Sequence, residues 1–341
     1  MIHITSMRGF CASLCVSLLT MGAVAHAQPP VPDLAGGPLP FDHPAAQADP
    51  AFAGLPDLAP PSYDPNSPRL PESLALREMG YNPLTGEVRT GAPVKLPVGN
   101  LSSFTPAYAG PDGGKGTATG PGSDSVIGTD NRVQITSTTT FPYRAVTKLN
   151  VQFPYGAGGC SGILIAAKYV LTAGHCIYSP SSGGWAVSVQ VIPGQSGSYQ
   201  PYGAYSATYI RTFSSWTSYS DPNYDMALIT LNAPVGDTTG WMGYGYDSTI
   251  VGTTGNIAGY PGDKGGSTMW YDNDPVSSAS TYRVTYNIDT YGGQSGSGVY
   301  QSSGSTLTVF ATHTNGGSSN SGTRIDSSKN STLGSWISSG Y

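Results

Sequence analysis

From Ser125 to the end, the chain is built of short runs in which apolar and polar residues alternate, among them Val133-Gln-Ile-Thr136, Leu149-Asn-Val-Gln-Phe153 and Val187-Ser-Val-Gln-Val191, with the apolar run Gly162-Ile-Leu-Ile165 between them. A period of two puts successive side chains on opposite faces of a strand, and Gly, Pro, Asn and Asp punctuate the runs at short intervals. A helical period appears only at the end, over Ser331–Ser338, where Leu333, Trp336 and Ile337 make one apolar face. The pattern predicts an all-β domain, a sandwich or barrel of many short strands with one short C-terminal helix. Only 10% of the residues are charged and the formal net charge is −5, so the chain lacks the basic surface that nucleic-acid binding needs.

The first residues have the form of a signal peptide. Arg8 supplies the positive region, Cys11 to Val24 the apolar region, and Ala25-His26-Ala27 the small-residue cleavage site. The expectation is a secreted, extracellular protein. The apolar run is shorter than the roughly 20 residues that span a bilayer, so no membrane anchor is expected. Residues 28–124 are Pro-rich and poor in aliphatic side chains and read as a largely disordered pro-region, briefly helical at Ser73 to Met79. That leaves 125–341 as the folded domain.

Two cysteines remain after removal of the leader, Cys160 and Cys176, and a lone pair in an oxidising compartment is most simply a disulfide. Without nearby His partners the pair makes no zinc site, so no metal is expected. Beyond Ser125 there are only two imidazoles, His175 and His313. His175 ends the apolar run Tyr169-Val-Leu-Thr-Ala-Gly-His-Cys176. Asp225 precedes another, in Asn223-Tyr-Asp-Met-Ala-Leu-Ile-Thr-Leu231, and a carboxylate buried there needs a partner. Ser295 sits in the glycine-rich loop Asp289-Thr-Tyr-Gly-Gly-Gln-Ser-Gly-Ser-Gly298, whose Gly293 and Ser295 N–H groups are placed to bind an oxyanion. Asp225 orienting His175, and His175 taking a proton from Ser295, would form a nucleophilic triad. The chain order His, Asp, Ser is that of the double-barrel serine hydrolases, and the Gly-x-Ser-x-Gly elbow of the α/β hydrolases is absent.

At these residues the chain resembles the chymotrypsin-like serine proteases, and more narrowly the bacterial glutamyl endopeptidases of the V8 type. The resemblance covers 125–341. It is carried by Ser125-Val-Ile-Gly128, Phe141-Pro-Tyr-Arg-Ala145, Thr172-Ala-Gly-His-Cys-Ile-Tyr178, Gly259-Tyr-Pro-Gly-Asp-Lys264, the loop from Asp289 to Ser297, His313-Thr-Asn-Gly316 and Gly322-Thr-Arg-Ile325. It implies two six-stranded antiparallel β-barrels with the site between them, a triad of His175, Asp225 and Ser295, and an oxyanion hole at Gly293 and Ser295. It also implies an acidic-residue pocket at Thr290 and His313, walled by Thr314, Asn315 and Gly316.

Two rival readings stand beside cleavage after Glu, and less readily Asp. Asp289, six residues before Ser295, would select Arg or Lys if it pointed into the pocket, as in trypsins; a catalytically inactive binding protein on the same fold is the other. The acidic reading gains from His313, which can present both donor and positive charge to a carboxylate. It gains again from composition: Glu72, Glu78 and Glu87 are the only glutamates, so 125–341 contains no bond of the preferred kind. The expectation is a monomeric zymogen whose partners are polypeptide substrates, with no cofactor and no metal, matured between Asp124 and Ser125.

Overall fold

The computed structural model describes residues 46–47, 54–95, 125–303 and 306–341. The expected leader, 1–27, and Asp124 lie outside the described residues.

Two antiparallel sheets carry the domain. In the first, the strands Ser188–Pro193, Val146–Phe153, Gly156–Ala166, Tyr169–Thr172, Ala227–Leu231 and Tyr205–Phe213 follow one another. The ring closes where Gln190 and Val191 pair with Ser206 and Tyr205. Ala227–Leu231 and Tyr169–Thr172 are buried at every position, which explains why they read as continuous apolar runs and not as alternating ones. The second sheet orders Ser278–Ala279, Arg283–Tyr286, Asn320–Arg324, Thr306–Asn315, Gly298–Ser303, Thr254–Gly259, Met269–Pro275 and Val133–Ile135. It curls into a half-barrel, and no pairing joins its two ends among the described residues. The double-barrel architecture thus consists of one closed barrel and one curled sheet. A disulfide between Cys160 and Cys176, Cα atoms 6.1 Å apart, staples the strand Gly156–Ala166 to the turn that follows Tyr169–Thr172. A loop of this length contributes on the order of 3 kcal/mol in the chain-entropy account.

The C-terminal helix spans Ser327–Ser338 and begins four residues before the expected start. Asp326 is the reason: its Oδ1 accepts the N–H groups of Ser328 and Lys329, both at 2.9 Å, and so satisfies donors that a helix start leaves orphaned. The helix buries Leu333 and Trp336, and the Trp336 ring lies 4.9 Å from that of Phe213 on the closed barrel.

Residues 54–95 differ from the largely disordered stretch that their composition suggests. Glu72–Ala75 is helical, and Glu78–Tyr81 and Val88–Thr90 form a hairpin. The hairpin extends the closed barrel by pairing Glu78 to Tyr81 with Phe213 to Ile210. Few side chains are needed, because an exposed strand edge supplies ready backbone partners. Ala75 and Leu76 complete the anchorage, each only 1% exposed.

Candidate active site

His175 lies in the single 3-10 turn Gly174–Cys176 that ends the buried strand Tyr169–Thr172. Its Nδ1 is 2.8 Å from Asp225 Oδ2, while Asp225 Oδ1 accepts the backbone N–H of His175 at 2.9 Å. Both side chains are buried. The two contacts fix the ring's rotation and place the Nδ1 proton toward the carboxylate, so the basic lone pair belongs to Nε2. That atom is buried and has no hydrogen-bond partner among the described residues. Trp216 lines the site, its ring centroid 6.3 Å from that of His175.

Ser295 is 1% exposed and is held from the closed barrel: its carbonyl accepts the Ser161 N–H at 2.8 Å and lies 3.6 Å from Cys176 Sγ. The nucleophile loop is therefore anchored to the strand Gly156–Ala166 of the closed barrel. Gly293 and Gly296 have φ of +91° and +88°, a region in which a side chain would be strained. The N–H groups of Gln294, Gly296 and Ser297 donate to Tyr291 O, His313 O and Gln294 O, whereas among the described residues no backbone carbonyl takes the Gly293 N–H. The Gly293 carbonyl is turned onto Ser161 Oγ at 2.8 Å.

The two expected pocket residues flank this loop. Thr290 is buried near the loop's start, and its Oγ1 lacks a hydrogen-bond partner among the described residues. His313 is buried on the other side, in the strand Thr306–Asn315, where it exchanges backbone bonds with Gly296 and Ser297, both at 2.8 Å. Tyr286 Oη lies 2.7 Å from His313 Nδ1. Asp289 is buried, and its oxygens accept the N–H groups of Ile127 at 2.6 Å and Asn131 at 2.8 Å.

Arg283 is a residue that sequence reasoning missed. It stands in an ordinary alternating strand, yet its guanidinium donates to Pro222 O, Thr314 Oγ1, Thr323 Oγ1, Asn315 Oδ1 and Ser321 Oγ at 2.6–3.0 Å. Burial pulls its pKa down and Asp225 pushes it back up. One cation thus ties the segment leading into Asp225 to the wall segment Thr314–Asn315. Gly316 follows directly after the strand. No local signal marks Arg283, since all its partners are at least 31 residues away.

The expectation that no His stands near the cysteine pair does not hold: among the described residues, Cys160, His175 and Cys176 are the one cluster with the spacing of metal ligands. The donor set does not fit a metal. The two sulfurs are joined in a disulfide, so neither is a thiolate, and His175 Nδ1 is engaged by Asp225.

A family model described as Trypsin matches residues 132–336. The chain is 48% identical over 207 residues to a Bacillus subtilis (strain 168) protein named extracellular metalloprotease, covering 59% of this chain and 66% of that one. It is 44% identical over 225 residues to a glutamyl endopeptidase of Bacillus licheniformis, covering 63% of this chain and 70% of that protein. The chain therefore spans about two thirds of the length of these relatives. Among solved structures, a Glu endopeptidase in complex with MPD matches with TM-score 0.57 and 28% identity, over 62% of this chain and 98% of that chain.

Proposed function

The chain belongs to the trypsin family of serine proteases, and on that premise we propose that it is a secreted glutamyl endopeptidase that cuts peptide bonds after Glu, and less readily after Asp. Ser295 Oγ attacks the scissile carbonyl carbon and passes its proton to His175 Nε2, while Asp225 stabilises the imidazolium that forms. The Gly293 and Ser295 N–H groups receive the oxyanion. His175 then returns the proton to the leaving amine, and water repeats the sequence to release the acid.

Selectivity follows from which charge faces the pocket. The observation that carries the acidic reading is the placement of Asp289, whose two oxygens are committed to Ile127 and Asn131. Turning it toward a substrate Arg would forfeit two charge-assisted bonds, about 1.5–3 kcal/mol each. His313 and Thr290 supply donors instead. With Nδ1 facing Tyr286 Oη, Nε2 is the ring nitrogen that would meet a carboxylate. Arg283 adds buried positive charge behind the Thr314–Asn315 wall.

Maturation belongs to the same reading. The Ser125 carbonyl accepts the Thr290 N–H at 3.2 Å, and the Ser125 N–H donates to Asn320 Oδ1 at 3.1 Å, so an N-terminus released there would lie beside the pocket. The test is a set of matched peptides differing only before the scissile bond. A kcat/KM for Glu well above those for Gln and Arg is expected. Efficient cleavage after Arg would return the trypsin-like reading, and no cleavage of any would favour a binding protein.

A further inference from the structure

Residues 54–58 meet the nucleophile loop at Gly292 and Gly293, through Asp57, whereas His313 meets it at Gly296 and Ser297. The Gly159 N–H donates to Pro56 O at 2.8 Å and the Leu58 N–H donates to Gly159 O at 3.3 Å, a parallel bridge that sets Asp57 against Gly159, next to the Cys160–Cys176 disulfide. The Asp57 carboxylate sits in a cradle of bare backbone. A Cβ placed on Gly292 or Gly293 would come within 2.7 Å of its oxygens, and one placed on Gly262 would collide with them. Beneath lies Lys148, 6% exposed, whose Nζ occupies the room that a side chain at Gly159 would need. Burial pushes the Lys148 ammonium down to about 8, and Asp57 is the charge that pushes it back up. A buried cation of this kind calls for an anion.

The cradle is a built site, with a buried cation, two backbone segments bare of side chains and an occupant supplied by the chain itself. The acyl half of a substrate occupies the Thr290–His313 side of Ser295, so the leaving half must run along the other flank, past Gly293 toward Gly159. We propose that Lys148, with the backbone of Gly262, Gly292 and Gly293, forms a second carboxylate subsite on the leaving-group side, filled by Asp57 in the unprocessed chain. In the processed enzyme the same subsite takes an acidic side chain one or two residues after the scissile bond. The placement relative to Ser295 rests on the catalytic reading above; the choice of residue before the bond does not enter it.

The test maps cleavage sites on a denatured protein digest, using enzyme secreted from the full chain as wild type, Lys148→Gln and Lys148→Arg. The position before the bond reports on the His313 pocket and the positions after it report on the Lys148 subsite, so the two readings succeed or fail separately. Wild type is expected to show Asp and Glu enriched about tenfold at one of the two positions after the bond. Lys148→Gln is expected to lose that enrichment and Lys148→Arg to keep most of it. Wild-type cuts with no acidic enrichment after the bond overturn the proposal, and they do so even where Lys148→Gln fails to accumulate. Enrichment undiminished in Lys148→Gln overturns it equally.

Discussion

Asp289 and His313 are both buried beside the nucleophile loop, and what separates their roles is the set of partners each already has. Asp289 is consumed by the N–H groups of Ile127 and Asn131, whereas the His313 ring meets Tyr286 Oη through Nδ1. His313→Ala should therefore lower kcat/KM much more for a peptide with Glu before the scissile bond than for its Gln counterpart, by about tenfold or more, since only the first presents a charge to be met. Parallel kinetics on the two peptides check this, and equal losses would make His313 structural. His175, Asp225 and Ser295 were legible because each sits at the end of an apolar run or inside a glycine loop, features that local sequence displays. Arg283, Lys148 and Asp57 were not legible. Their meaning lies in contacts between distant parts of the chain, and a lone Arg, Lys or Asp in a polar-looking run carries no mark of burial.

The stretch after Ser125 works as a clip between elements. Arg132 is buried and makes a bidentate pair with Asp263, at 3.0 and 2.5 Å, in the turn Gly262–Lys264 that leans on Gly292 through a 2.7 Å backbone bond. Its Nε reaches Asp130 at 2.9 Å, and Lys264 joins at 3.0 Å. Arg132 holds the Asp130 carboxyl well below the usual carboxylate range, with Lys264 adding to it. A carboxyl whose pKa is lowered on folding contributes stability above its unfolded pKa of about 4 and loses it as pH falls toward the folded value. Asp130→Asn should thus lower Tm at pH 7, with the gap to wild type closing as the pH drops below about 4. Thermal melts across that range decide it, and a gap independent of pH would remove the ion pair from the account. The strands of this region were readable from alternation. The early helix start at Asp326 and the hairpin over 78–90 were not, since one depends on a single cap and the other on a strand whose paired residues lie 129–135 positions further along.

For the molecule as a whole, the N-terminal segment is both a part of the fold and a neighbour of the nucleophile loop. Its hairpin extends the closed barrel, while Asp57 rests against Gly292 and Gly293. Release at Ser125 after Asp124 would be a cut following an acidic residue, the preference assigned to the enzyme itself. Expressed with Ser295→Ala, which should lower kcat by about 10⁵-fold or more because triad members act as a unit, the chain should accumulate with residues before Ser125 attached. Added wild-type enzyme should then trim it to Ser125. N-terminal sequencing reads the outcome, and Ser125 at the terminus of the inactive protein made alone would assign maturation to another protease. The central claim, a serine nucleophile served by an acid-selecting pocket, is tested most directly by peptidyl diphenyl phosphonates that differ only in carrying a Glu, Gln or Arg side chain, with mass spectrometry locating the adduct. The account predicts that the Glu phosphonate reacts fastest and modifies Ser295; an adduct on another residue, or an Arg phosphonate that reacts as fast, would contradict it.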